Sequence, residues 1–127
     1  MSSPMEYKGD VTLALSVKDM DKAIAWYEEV LGFQVLYRLQ DMKWCEMRAV
    51  AENITVGIGQ SEEETPKGGC VPVWGVKDIA ASRQWLESRD VRFDGPTRAV
   101  AGMVKLATFY DPDGNCWMLA QSLQPQP

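Results

Sequence analysis

The chain opens into a regular pattern at Val11. Along VTLALSV, Leu13, Leu15 and Val17 fall on one face and Thr12, Ala14 and Ser16 on the other, which predicts a strand over 11–17. Asp19 stands where a helix N-cap belongs. Met20, Ala23, Ile24, Tyr27, Val30 and Leu31 then recur at spacings of three and four, the apolar stripe of an amphipathic helix. Gly32 closes it as a residue free to turn left-handed. Three more strands are expected over 33–39, 43–50 and 53–59, with turns at Gln40-Asp41 and Ala51-Glu52. The first half therefore reads as βαβββ.

The polar, acidic stretch QSEEETPKGG over about 60–69 reads as a linker, and Glu62-Glu63-Glu64 as its solvated part. After it the pattern restarts. A strand is expected over 70–76, with Pro72 marking an irregular or edge position. Asp78 is a second N-cap before a helix over 79–89. A broken strand follows at 92–93 and 97–100 around Gly95-Pro96, then strands over 103–110 and 115–121. Residues 1–8 read as a loose lead-in and 124–127 as a frayed tail. The restart is an internal repeat: Val17-Lys18-Asp19-Met20 recurs as Val76-Lys77-Asp78-Ile79. At the same offset Trp26 meets Trp85 and Glu28 meets Glu87, while Asn53 is matched to Asn115 after the last turn. The expected fold is α+β: one domain of two βαβββ modules, about 10–60 and about 70–122. Their mixed sheets curve around a shared cup lined by the strand faces turned away from the helices.

Composition narrows what such a cup does. The 127 residues suit a single compact domain, and 46% hydrophobic with 24% charged is ordinary for a globular protein. No apolar run approaches the roughly 20 residues of a membrane span. The start, Met1-Ser2-Ser3-Pro4, lacks the basic and apolar regions of a signal peptide, so a cytoplasmic location is expected. A net charge of −5 with 13 scattered basic residues argues against nucleic acid. Cys45, Cys70 and Cys116 are widely spaced and odd in number, which suggests free thiols. The chain has no histidine. That removes the commonest general base, the commonest transition-metal ligand and every nucleophile that depends on an imidazole.

The last two strands flank Asp111-Pro112-Asp113-Gly114-Asn115, a tight turn. With Val17-Lys18-Asp19-Met20, Trp26-Tyr27, Val30-Leu31-Gly32-Phe33 and Gly95-Pro96, this turn makes the chain resemble the vicinal oxygen chelate superfamily. That superfamily groups glyoxalase I, the bleomycin-resistance proteins and the extradiol dioxygenases, and the resemblance runs over about 10–121. It implies paired βαβββ modules, usually as a homodimer. Metal-dependent members carry one ligand at each of four symmetry-related strand positions, mostly His and Glu. Carried onto this chain, those positions are Thr12, Val71, Met118 and, by the repeat, Val56. A hydroxyl, two valines and a thioether do not make a divalent-metal site, so no metal or other cofactor is expected.

The remaining lining is expected from Thr12, Ala14 and Ser16, from Ile54, Val56 and Ile58, from Val71, Val73 and Gly75, and from Cys116, Met118 and Ala120. These are small or apolar and suit an apolar or aromatic ligand, or simply pack together. Trp44, Glu46 and Arg48 share one face of the third strand. Two readings stand open. Facing inward, they set a carboxylate and a guanidinium beside an aromatic wall, and Glu46 is then a candidate proton-transfer base. Facing outward, they are a surface ion pair of little consequence. By alternation Trp74 and Trp117 belong to the helix-side core. Trp26 and Trp85, off the main stripes, suit a contact between modules or in a dimer. The leading expectation is a metal-independent homodimer that binds a small, largely apolar or aromatic molecule, as the antibiotic-sequestering resistance proteins do. The ligand-binding candidates are Thr12, Trp44, Glu46, Arg48, Val56, Val71, Cys116 and Met118. The alternative is a metal-free enzyme of isomerase, epimerase or lyase type that uses Glu46, with Arg48 or Tyr37 beside it. A metal-dependent glyoxalase or dioxygenase ranks last.

Overall fold

A computed structural model describes residues 3–61, 69–110, 112 and 114–124. Most of the acidic linker, including Glu62-Glu63-Glu64, lies outside the described residues, as do Asp111 and Asp113 of the last turn. The element order is β1 (Tyr7–Val17), α1 (Met20–Leu31), β2 (Gln34–Leu39), β3 (Trp44–Arg48), β4 (Ile54–Gln60), β5 (Val71–Val76), α2 (Ile79–Ser88), β6 (Arg92–Phe93), β7 (Arg98–Val100), β8 (Val104–Tyr110) and β9 (Cys116–Ser122). This is the expected α+β succession of two βαβββ modules, with β6 and β7 as the broken strand. By contacts the chain forms two units, Val11–Val71 and Met1–Asp10 with Pro72–Pro127.

In the unit Val11–Val71 the sheet runs β2-β3-β4-β1. β2 and β3 are antiparallel, as are β3 and β4, and β4 lies parallel to β1 with Thr12 opposite Thr55. The helix starts because the Asp19 side chain accepts from the backbone N–H of Lys22 at 3.1 Å. It stops because Gly32 takes φ 76°, which a side chain would resist. Met20 and Ile24 bury onto Cys45, Met47, Val56 and Ile58. The apolar stripe is shorter than its spacing predicts, for Val30 and Leu31 at its end are exposed.

The core also corrects a face assignment. Val56 and Ile58 are buried against α1, not on the Thr12 face. The β1–β4 register instead sets Thr55, Gly57 and Gly59 beside Thr12, Ala14 and Ser16. A one-residue slip in a strand moves every side chain to the opposite face.

In the other unit the order is β5-β9-β8-β6, with β7 also on β8; β5 and β9 are parallel and the remaining pairs antiparallel. Asp78 caps α2 as Asp19 caps α1, accepting from the N–H of Ala81 at 3.0 Å. Val76, Ile79, Ala107 and Leu119 form the core. Residues 5–7 are not a loose lead-in: Met5 packs on this core, Glu6 accepts from the N–H of Lys77, and Tyr7 begins β1. Trp74 is not core either. It is 37% exposed and meets Tyr7 edge to face at 6.1 Å.

Each unit carries the same latch. The side-chain oxygen of Gln60, at the end of β4, accepts from the N–H of Met20 at 3.0 Å. That of Gln121, near the end of β9, accepts from the N–H of Ile79 at 2.8 Å. Both satisfy a donor that the first turn of a helix leaves unpaired. Among the described residues no helix is long and apolar enough to cross a membrane.

Candidate active site

The side chains that the sequence singles out on β3 lie within the unit Val11–Val71. Cys45 and Met47 are fully buried on the helix side. Alternation therefore turns Trp44, Glu46 and Arg48 to the opposite face, with Thr12 and Thr55. The hydrogen bond between Thr12 and Glu46 sets this face of β3 on the Thr12 side of the sheet.

Four side chains converge on the part-buried Glu46 carboxylate. The Trp44 indole N–H donates to Oε1 at 2.9 Å, and the Tyr37 hydroxyl reaches the same oxygen at 3.4 Å. The Thr55 hydroxyl donates to Oε2 at 2.5 Å and the Thr12 hydroxyl at 3.1 Å. The two threonine oxygens are themselves 2.8 Å apart. Burial first, and the Glu46 charge second, push the Tyr37 phenol above its ordinary range, so it stays a donor at neutral pH.

Two glycines make this geometry possible. A Cβ on Gly57 would come within 2.0 Å of Trp44 Cζ2, and one on Gly59 within 3.3 Å of Trp44 Cε3. The indole therefore lies against bare backbone of β4, and from there its N–H reaches Glu46. Gly57, Gly59 and Thr55 are the positions of this cluster that sequence reasoning missed. The signal for them is the pair Gln60 and Gln121. Aligning the modules on these latches, rather than on Asn53 and Asn115, matches Met118 with Gly57 and Cys116 with Thr55.

The other candidates are placed as follows. Arg48 is exposed and lies opposite Thr55. Val56 is buried in the helix-side core. Val71 begins β5 and is half-buried. Cys116 and Met118 lie on β9, on the face away from buried Leu119, with Met118 opposite Val73 and Thr108. Burial, and secondly Asp94, raise the Cys116 thiol above its ordinary value.

These side chains do not fit a divalent metal. With the register corrected, the family's ligand positions fall on Thr12, Gly57, Val71 and Met118: one hydroxyl, one thioether and two positions without a donor. At Gly57 the Trp44 ring stands where a ligand side chain would start. Among the described residues no group of three or more His, Cys, Asp or Glu side chains is placed to hold a metal ion.

The sequence profile of the glyoxalase/bleomycin resistance protein/dioxygenase superfamily matches residues 11–119, and the chain belongs to that superfamily. Several solved structures share its fold. Methylmalonyl-CoA epimerase from Mycobacterium tuberculosis is 19% identical with a TM-score of 0.76, over 100% of this chain and 94% of that one. A superfamily member from Vibrio splendidus 12B01 is 20% identical with a TM-score of 0.64, over 88% and 97%. A variant of Streptomyces coelicolor methylmalonyl-CoA epimerase in complex with 2-nitronate-propionyl-CoA is 14% identical with a TM-score of 0.71, over 97% and 99%. At these identities the likeness is one of fold. Among curated proteins none matches the chain.

Proposed function

We propose that this chain is a small-molecule enzyme of isomerase or epimerase type, in which Glu46 takes a proton from a carbon acid and no metal enters the step. The observation that carries this is the Glu46 cluster itself: a part-buried carboxylate on the face of β3 turned away from α1, oriented by Thr12, Thr55, Tyr37 and Trp44. Such fixed orientation is what a proton-transfer group needs, since misplacement by an ångström is costly. The epimerases among its structural neighbours support the same reaction class.

The step takes a C–H proton next to a carbonyl. The C–H bond breaks, the proton goes to a Glu46 oxygen, and the electron pair moves onto the carbonyl oxygen as an enolate. The threonine pair suits this cycle. Thr12, Thr55 and Glu46 Oε2 make three oxygen–oxygen contacts but have only two hydroxyl protons when Glu46 is ionised. A proton delivered to Glu46 completes the third. With one carboxylate, return to the same face gives exchange or a same-face shift; inversion calls for a second proton donor.

The test is α-proton exchange in D2O, followed by NMR on methylmalonyl-CoA and on smaller 2-methyl-branched esters. The expected result is exchange by the wild-type protein and a drop of about 10²–10⁴-fold in Glu46→Gln. Wild-type binding without exchange would overturn the reading. It would leave the second one, a sequestering protein of the resistance type, which the apolar positions Val71, Cys116 and Met118 favour. On either reading a homodimer in solution is proposed, and sedimentation velocity checks it.

A further inference from the structure

Glu46 and Arg48 stand two residues apart on one face of β3, about 6.6 Å along the strand. Opposite charges so placed ordinarily pair, but these do not. Among the described residues, the four hydrogen bonds to the Glu46 carboxylate come from neutral donors. Arg48 has no hydrogen-bond or ion-pair partner among the described residues. The other arginine of this unit behaves differently, for Arg38 is tied to Asp21 at 2.5 Å.

Arg48 lines a hollow. Leu36, Arg48, Ile54 and Thr55 line it with the β3–β4 turn 49–53, and it is an open groove of about 360 Å³. Thr55 belongs both to the lining of this hollow and to the Glu46 cluster. Its charged lining is Arg48 on one strand and Glu52 on the turn; the rest is apolar or neutral.

We propose that Arg48 holds the carboxylate of an organic acid, with the acid's reactive carbon directed at Glu46. Arg48 is thereby the residue that sets the substrate class. A guanidinium matches a carboxylate with two parallel N–H donors, and its geometry fixes the acid's orientation as well as its charge. This deepens the proton-transfer reading and rests on it for the role of the carbon. The binding role of Arg48 does not depend on it.

The experiment compares monomethyl methylmalonate, a mono-anion, with dimethyl methylmalonate, its neutral counterpart. Both keep the acidic C–H. Binding to the full chain is measured by NMR titration for wild type, Arg48→Met and Arg48→Lys. Because Arg48 is exposed, both variants are expected to melt with the wild type. The expected result is a preference for the mono-anion of about tenfold in wild type, as for one charge-assisted contact at an open site. That preference should vanish in Arg48→Met and survive in part in Arg48→Lys. Equal binding of the two esters by wild type, binding of neither, or a preference that survives Arg48→Met would overturn the proposal. α-Proton exchange is recorded in the same samples. An Arg48-dependent preference without exchange supports the anion site and removes the proton-transfer reading. Exchange without the preference does the reverse.

Discussion

Thr12 and Thr55 sit on adjacent strands with their hydroxyls 2.8 Å apart, and both point at one carboxylate oxygen. Removing either leaves a part-buried carboxylate short of a donor. Thr55→Val is expected to lower stability by about 1–3 kcal/mol, read by urea unfolding. The cysteines divide by environment in the same way. Cys45 is fully buried, and burial raises its thiol despite the partial relief from Arg38; Cys116 is raised by burial and by Asp94. Cys70 is exposed. At neutral pH iodoacetamide is therefore expected to modify Cys70 in the native protein and to reach Cys45 only after unfolding, which peptide mass mapping checks. That Trp44 and Glu46 share a face was legible, because alternation on a strand fixes which side chains travel together; that Thr12 lies on the same side was left open, because it depends on the neighbouring strands. Val56 was misread because its place was set by a turn asparagine, and a turn can change length without disturbing the strands it joins.

At the scale of elements, the two helices show what local rules decide. Asp19 and Asp78 cap them as the sequence indicates. Where each stripe stops being buried is a matter of tertiary packing, and Val30 and Leu31 were not legible as exposed. The β4 strand shows the opposite case. Its glycines look like interruptions, since glycine weakens a strand. Their use appears only once β3 lies beside them and the Trp44 ring needs the space. Gly57→Ala must push the indole off β4 and break its bond to Glu46. A loss of about 1–3 kcal/mol is expected in thermal unfolding, as for an overpacked site.

For the molecule as a whole, the repeat, the βαβββ order and the superfamily were legible because each module repeats the same capped helix and the same strand sequence. Which face of each strand packs its helix was not, until Gln60 and Gln121 fixed the register. The acid–base behaviour of the whole follows from its raised groups. Cys45 and Cys116 have an ordinary value of 9.0 and Tyr37 one of 10.0, and all three are raised in the fold. The unfolded chain therefore loses these protons at lower pH than the native one. Their contribution is fully present below about pH 9 and is lost as pH climbs through the native values. Urea midpoints are expected to fall from pH 9 upward.

The contact between the Trp44 N–H and Glu46 has an optical consequence. An indole whose ring nitrogen lies 2.9 Å from a carboxylate oxygen carries a charged group against its own chromophore. Its absorption and emission energies respond to the field at the ring, so whatever reorients or neutralises that carboxylate shifts its spectrum. The chain has five tryptophans. Subtracting the spectrum of Glu46→Gln from that of the native protein isolates the one that matters. The same difference, followed during a ligand titration, is a label-free signal from inside the candidate site, with no dye attached and no residue replaced in the protein being titrated.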